Sequence, residues 1–231
     1  MKSQKITESH LSKPKRWYQD ACGTALAMDL LGERWSMLIM RELLLGPRRF
    51  GEIRGSLVGL SANVLTQRLE GLEQAGIVRK RVLPSPANAQ VYELTRWGKA
   101  AEDAIFALSR WAAGSPAHDV TLPLSNAAFM LSLRTMMDRE KARALSIDLG
   151  FRVGGDPFRA QIVDGRLEIE RVDPESAGLV FDGDPSLLAS VFYGSQSLEE
   201  SEAAGLVRVT GDRAVAQRFV DCFRLPVFVN D

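Results

Sequence analysis

The residues of this chain best suited to chemistry are cations and small polar side chains grouped between Arg48 and Arg81. Arg48 and Arg49 form a pair, Arg79, Lys80 and Arg81 form a run, and Arg68 stands between them. Guanidinium and ammonium groups at this density suit phosphate oxygens, which supply the sequence-independent part of nucleic-acid affinity. Ser61, Ala62, Asn63 and Gln67 are small or carry hydrogen-bonding groups, and such side chains can read base edges in a major groove. Cys22 is the other reactive group. At a helix start its thiolate would be stabilised by the helix dipole; the alternative is a small buried residue at a subunit interface. Other chemistry lacks its signature. There is no Gly-x-Ser-x-Gly, phosphate loop or dinucleotide fingerprint, and Gly154-Gly155 reads as a turn. Glu199, Glu200 and Glu202 read as a solvated charge run in a Ser/Glu-rich loop. Two cysteines and two histidines (His10 and His118) have no metal spacing. The expectation is no enzyme, no metal and no cofactor.

The polar group must be held by particular elements. A short helix from Phe50, a tight turn at Gly59 and a second helix starting on Ser61 account for this stretch. Leu65, Leu69 and Leu72 fall at i, i+4 and i+7, one apolar stripe facing a core. The opposite face carries Ala62, Asn63, Thr66, Gln67 and Glu70. An ordinary surface helix would share that division. The segment after the helix favours a reader: Gly76 ends the helix, then 77–82 and 90–94 are β-prone runs joined by a loop holding Pro84, Pro86 and Asn88. A hairpin with three cations on its first strand is a wing beside a helix-turn-helix. Helices are expected over 22–31 and 34–45 before it, and over 97–112 after it, with Ala101, Ile105, Leu108 and Trp111 on one side.

Residues 22–111 resemble the HxlR-type winged-helix regulators, relatives of the MarR group. The resemblance is carried by Cys22, Gly32-Glu33-Arg34-Trp35, Arg49-Phe50, Leu65-Thr66-Gln67-Arg68-Leu69-Glu70-Gly71-Leu72 and Leu94-Thr95-Arg96-Trp97-Gly98. Gly23 stands where the family often has Pro. The resemblance implies a homodimer built by the terminal helices, reading double-stranded DNA with Ser61, Ala62, Asn63 and Gln67 on bases and Arg48, Arg49, Arg68, Arg79, Lys80 and Arg81 on phosphates. It also implies a role for Cys22 in sensing oxidants or electrophiles.

Charge and composition fit that reading. The formal net charge is zero, yet residues 1–113 hold 17 Lys/Arg against 11 Asp/Glu and residues 114–231 hold 12 against 18. A basic half joined to an acidic half is expected when one half meets phosphates. No apolar run approaches the ~20 residues a membrane helix needs. The polar, basic start is no secretory signal, and cysteine usage fits a reducing cytoplasm. The expected organisation is α+β: a disordered arm over 1–16, in which Lys13, Lys15 and Arg16 could touch DNA, a winged-helix DNA-binding and dimerisation domain over 17–113, a Gly/Ser/Pro linker over 114–118, and a second domain over 119–231.

In that second domain a helix over 126–137, strands over 145–151, 158–163, 167–172, 178–183 and 206–212, and helices over 185–192 and 213–223 alternate. This order, with Asp182-Gly183-Asp184-Pro185-Ser186-Leu187-Leu188 and Gly205-Leu206-Val207-Arg208-Val209-Thr210-Gly211-Asp212, resembles the sterol-carrier-protein fold. That resemblance implies an α/β layer enclosing an apolar cavity. Phe129, Leu133, Met136, Met137, Phe181, Leu188, Val191 and Phe192 are its expected walls, although plain core would use the same residue types. Cys222 reads as core. The function implied is a dimeric transcriptional regulator modulated by an apolar small molecule. Alternatives are a hydrophobic-ligand carrier dimerised by its first domain, and a thiol-based sensor acting through Cys22.

Overall fold

The computed structural model of the chain describes residues 18–194 and 196–227, so the arm expected over 1–16 lies outside the described residues. The chain divides into two compact units, Met1–Met40 with Arg48–Lys99, and Arg41–Pro47 with Ala100–Asp231. No helix among the described residues is long and apolar enough to cross a membrane.

The first unit runs α1 (Gly23–Leu31), the start of α2 (Ser36–Leu43), α3 (Phe50–Ser56), α4 (Ala62–Gln74), β1 (Val78–Val82), β2 (Gln90–Leu94) and α5 (Arg96–Ala100). Local chemistry explains the boundaries. The Glu52 carboxylate accepts the Arg49 N–H at 2.8 Å and closes the first turn of α3. Gly59, at φ +85°, turns the chain between α3 and α4 in a conformation that side chains resist. Ser61 then caps α4 by accepting the Val64 N–H at 3.3 Å, a contact worth about 1 kcal/mol. Leu65, Leu69 and Leu72 are at most 2% exposed, and each fully buried leucine contributes about 1.5–3 kcal/mol. They join Ile39, Met40, Ile53, Leu57 and Leu60 in the core.

The Leu-Thr-x-x-Gly segment locks the hairpin to α5. Thr95 donates its hydroxyl to the Gly76 carbonyl at 2.7 Å and accepts the Gly98 N–H at 3.0 Å. A Cβ on Gly98 would lie 2.2 Å from the Ile77 carbonyl oxygen, so only glycine allows the approach. The helix expected over 97–112 is two, α5 and α6 (Glu102–Ala113), meeting at Ala101.

The second unit adds α7 (Asn126–Met136), α8 (Arg139–Ala142), β3 (Asp148–Val153), β4 (Asp156–Val163), β5 (Arg166–Glu170), β6 (Leu179–Gly183), α9 (Pro185–Phe192), α10 (Leu198–Ala203), β7 (Val207–Thr210) and α11 (Arg213–Val220). Its sheet has the order β5-β4-β3-β6-β7, with β3 and β6 parallel and the other pairs antiparallel. The turn at Asp164-Gly165 places both residues at positive φ, +50° and +69°, the geometry of a two-residue hairpin turn. β3 begins at Asp148, not 145, because its register is set by β4: Asp148 faces Gln161, and the Arg159 guanidinium grips the Asp148 carboxylate at 2.6 Å.

Two further expectations change. Residues 102–113 and 41–47 belong to this unit, so the division falls at Lys99/Ala100. Long-range contacts explain it: Arg134 holds Glu102 at 2.7 Å, the buried Glu42 accepts the Ser125 hydroxyl at 2.6 Å, and Leu45 enters the core. The Glu199-Glu200-Glu202 segment is helical (α10), not a loop. Ser197 caps it, and Glu202 accepts the Val209 N–H at 3.0 Å and pairs with Arg213 at 2.8 Å.

The space assigned to a cavity is filled. Phe129, Phe151, Phe181, Phe192, Phe219 and Phe223 come from five segments and touch ring to ring. Centroids are 5.7 Å apart for Phe129–Phe192, 5.2 Å for Phe181–Phe192 and 4.9 Å for Phe219–Phe223. Edge-to-face pairs of this kind add about 0.5–1.5 kcal/mol beyond burial. Leu133, Leu188 and Val191 are buried with them, as is Met137. Cys222 is buried beside this cluster, just beyond α11, and burial pushes its thiol pKa up.

Candidate nucleic-acid interface

On α4 the residues opposite the leucine stripe form a stripe of their own. Asn63, Thr66, Gln67 and Glu70 stand at i, i+3, i+4 and i+7 and all are exposed. Thr66 donates its hydroxyl to the Ala62 carbonyl at 3.0 Å, and the Ser61 oxygen is occupied by the cap. Asn63 and Gln67 are the side chains on this face whose amides are offered outward. Both carry donor and acceptor, as an adenine edge requires.

The wing is a two-stranded antiparallel hairpin pairing Arg79 with Glu93, Lys80 with Tyr92 and Arg81 with Val91. Alternation puts Arg79 and Arg81 on one face and Lys80 on the other. One carboxylate serves both arginines: Glu93 lies 2.7 Å from Arg79 and 3.3 Å from Arg81. Arg79 and Arg81 are 64% and 49% exposed, against 12% for Glu93, so this face presents two accessible guanidiniums and a net positive charge. Lys80 pairs with Glu73 of α4 at 2.9 Å and sits 5.9 Å from the Tyr92 ring centre. The hydrogen bond to Glu73 raises its pKa.

The remaining cations divide. Arg49 is exposed just before α3. Arg48 is 8% exposed; its backbone pairs with Tyr92 of the wing, and its guanidinium donates to Ser56 at 3.3 Å and lies 3.7 Å from Glu52. Arg68 donates to the Arg34 carbonyl at 3.1 Å and pairs with Glu33 at 2.9 Å. Arg48 therefore fixes the wing to the entrance of α3, and Arg68 fixes α4 to the turn before α2. Arg34, stacked 5.2 Å from the Trp35 ring centre, and Arg54 on α3 are exposed cations that no sequence run marks out.

Cys22 is exposed and immediately precedes α1. Its pKa is lowered, first by the Thr24 N–H, then by the Thr24 hydroxyl and the Ala25 N–H. Of the eight expected cavity walls in the second unit, seven are core and Met136 alone borders an open groove. Among the described residues no cluster of His, Cys, Asp and Glu could hold a metal ion.

Known proteins are similar to the chain over this region. A family described as HxlR-like helix-turn-helix matches residues 30–119. An uncharacterised HTH-type transcriptional regulator of Bacillus subtilis, YvaP, is 42% identical over 86 residues, covering 37% of this chain and 80% of that protein. The B. subtilis HTH-type transcriptional regulator YodB is 40% identical over 86 residues, covering 37% of this chain and 77% of that protein. The solved structure of YodB in its reduced form covers 42% of this chain and 98% of that one, at 36% identity and a TM-score of 0.38.

Proposed function

The chain belongs to the HxlR-like helix-turn-helix family of transcriptional regulators, and from that premise we propose that it works as a homodimer reading a specific DNA operator. The exposed Asn63-Thr66-Gln67-Glu70 stripe opposite Leu65, Leu69 and Leu72 carries this reading. Asn63 and Gln67 contact base edges, with Ser61 and Ala62 closing against the groove at the start of α4. Arg49, Arg79, Lys80 and Arg81 contact phosphates, Lys80 exchanging Glu73 for a phosphate. Arg48 and Arg68 act indirectly, by orienting the wing and α4.

Dimerisation is supported by apolar side chains left exposed: Leu26 and Met28 on α1 and Leu108 on α6. A two-fold dimer would set two α4 helices about one DNA turn, roughly 34 Å, apart. The full chain should bind its own upstream region in an anisotropy assay, with Lys80→Ala flattening the salt dependence by about 0.9 unit. Absence of binding to any fragment at low salt would refute the DNA reading and leave a hydrophobic-ligand carrier. The C-terminal unit, a mixed sheet covered by helices as in a sterol-carrier-like fold, takes an apolar effector. Such a ligand regulates only by binding the DNA-bound and DNA-free forms unequally.

A specific observation favours a second reading. Cys22 is exposed with its pKa lowered by the start of α1, which suits a thiolate that reacts with oxidants or electrophiles. Alkylating the full chain should then change operator affinity in wild type and leave Cys22→Ser unaffected. Equal effects on both would end that reading.

A further inference from the structure

The second unit holds a groove of about 900 Å³ beside its aromatic core. α7 shows why both exist. Phe129 and Leu133 point into the core, while Ala128, Leu131, Ser132 and Thr135, at i, i+3, i+4 and i+7, line the groove. α9 and its C-cap bring Ser186, Ala189, Ser190 and Tyr193 at the same spacing, and α6 brings Ile105, Ser109 and Ala112. The segment 114–124 closes the remaining side. The volume is in the range of small-molecule sites, and the walls are mainly apolar with a few convergent polar groups.

Four of the lining hydroxyls share one property. A hydroxyl has a single proton to donate, and a backbone carbonyl can only accept. Ser109 donates to the Ile105 carbonyl at 2.8 Å, Ser132 to the Phe129 carbonyl at 2.7 Å, Thr135 to the Leu131 carbonyl at 2.8 Å and Ser190 to the Leu187 carbonyl at 2.8 Å. With the Ser132 proton so committed, the Tyr193 hydroxyl is the donor in the Ser132–Tyr193 bond. Burial holds the Tyr193 phenol neutral by raising its pKa. Arg41, at the rim, is held by Glu42 at 2.9 Å, and His118 is exposed on the closing segment. At Ser109, Ser132 and Thr135 the groove therefore presents oxygen lone pairs in apolar surroundings, with the hydroxyl protons directed into the protein.

We propose that this groove binds an uncharged, mostly apolar molecule bearing a hydroxyl or N–H donor, and rejects the corresponding carboxylate. The assignment rests on the apolar effector proposed for this unit and gives it a place and a ligand chemistry. A carboxylate would set its charge against lone pairs, and an ether would leave them unpaired.

The test uses the full chain and three probes of equal reach: 1-decanol, its methyl ether and decanoate, followed by thermal shift and tryptophan fluorescence. Decanol should bind at least about fivefold more tightly than either of the others, since acceptors left unmet in apolar surroundings are costly. Thr135→Val and Tyr193→Phe should each narrow that preference, and Ala189→Leu, which narrows the groove, should weaken all three probes. Equal affinity for decanol and its ether, or no binding of decanol up to its solubility limit, overturns the inference. So does a preference for decanol that survives both polar substitutions in folded variants. Decanol binding without any change in operator affinity leaves the groove standing and removes its regulatory role. A different apolar compound that shifts operator affinity equally in wild type and Ala189→Leu keeps the effector reading and overturns this site. A second copy of the chain covering the groove would appear as decanol affinity that falls with protein concentration, and that too overturns it.

Discussion

Replacing Glu93 with Gln tests the wing most directly, because one carboxylate serves two arginines there. Glu93 lies 2.7 Å from Arg79 and 3.3 Å from Arg81, so the trio carries one net positive charge, and Glu93→Gln raises it to two. Gln has the same shape and keeps an oxygen that can accept from Arg79, so the hairpin should survive. Breaking ion pairs whose arginines are this exposed costs at most about 1 kcal/mol. Each phosphate neutralised contributes about 0.9 to the slope of log affinity against log salt. One additional effective cation should steepen that slope by about 0.9, and over a fourfold rise in salt the variant should lose about 3.5-fold more affinity than wild type. At low salt it should bind more tightly, across operator and unrelated sequences alike. The assay is fluorescence anisotropy of a labelled duplex titrated at several salt concentrations, with melting curves to show that the variant is folded. A slope that stays level or becomes shallower in a folded variant would refute the placement of this wing face on phosphates.

Asn63→Ala should relax the preference at one base pair by about 1–3 kcal/mol while leaving binding to unrelated DNA nearly unchanged; a uniform loss across sequences would place Asn63 off the bases. Phe192→Ala, which removes a ring touching Phe129, Phe181, Phe219 and Phe223, should cost about 3–5 kcal/mol in denaturant unfolding; a loss below about 1 kcal/mol would mean the interior is hollow after all. Asp148 has its pKa lowered chiefly by the hydrogen-bonded Arg159 guanidinium. Its contribution is therefore complete above the usual carboxylate range and lost as pH falls through the lowered value. The gap in melting temperature between wild type and Asp148→Asn should accordingly shrink on acidification, and a constant gap would contradict that pairing.

The reading head was legible in the sequence because it is built from local rules. The Ser61 cap, the Leu65-Leu69-Leu72 spacing, the turn at Gly59 and the alternation of the wing act over a few residues each, so their pattern survives in one dimension. The strand order of the second unit and its helices α7, α9 and α11 were legible for the same reason, with Asp-Gly turns and Asp caps marking the ends, whereas α8 and α10 were not. Ion pairing was not. Arg68 looks like Arg49 in the sequence, yet it bonds a carbonyl 34 positions away, and Arg48 is drawn inward by the bridge to Tyr92. The division at Lys99/Ala100 also depends on distant partners, Glu42 with Ser125 and Glu102 with Arg134. Helical periodicity on α7 announces two faces without saying what either will meet. Whether Phe129 and Leu133 line a hollow or join a packed aromatic core depends on the volumes of residues from β3, β6, α9 and α11. Only when those segments converge does the space fill, leaving the opposite stripe of Ala128, Leu131, Ser132 and Thr135 to border the groove.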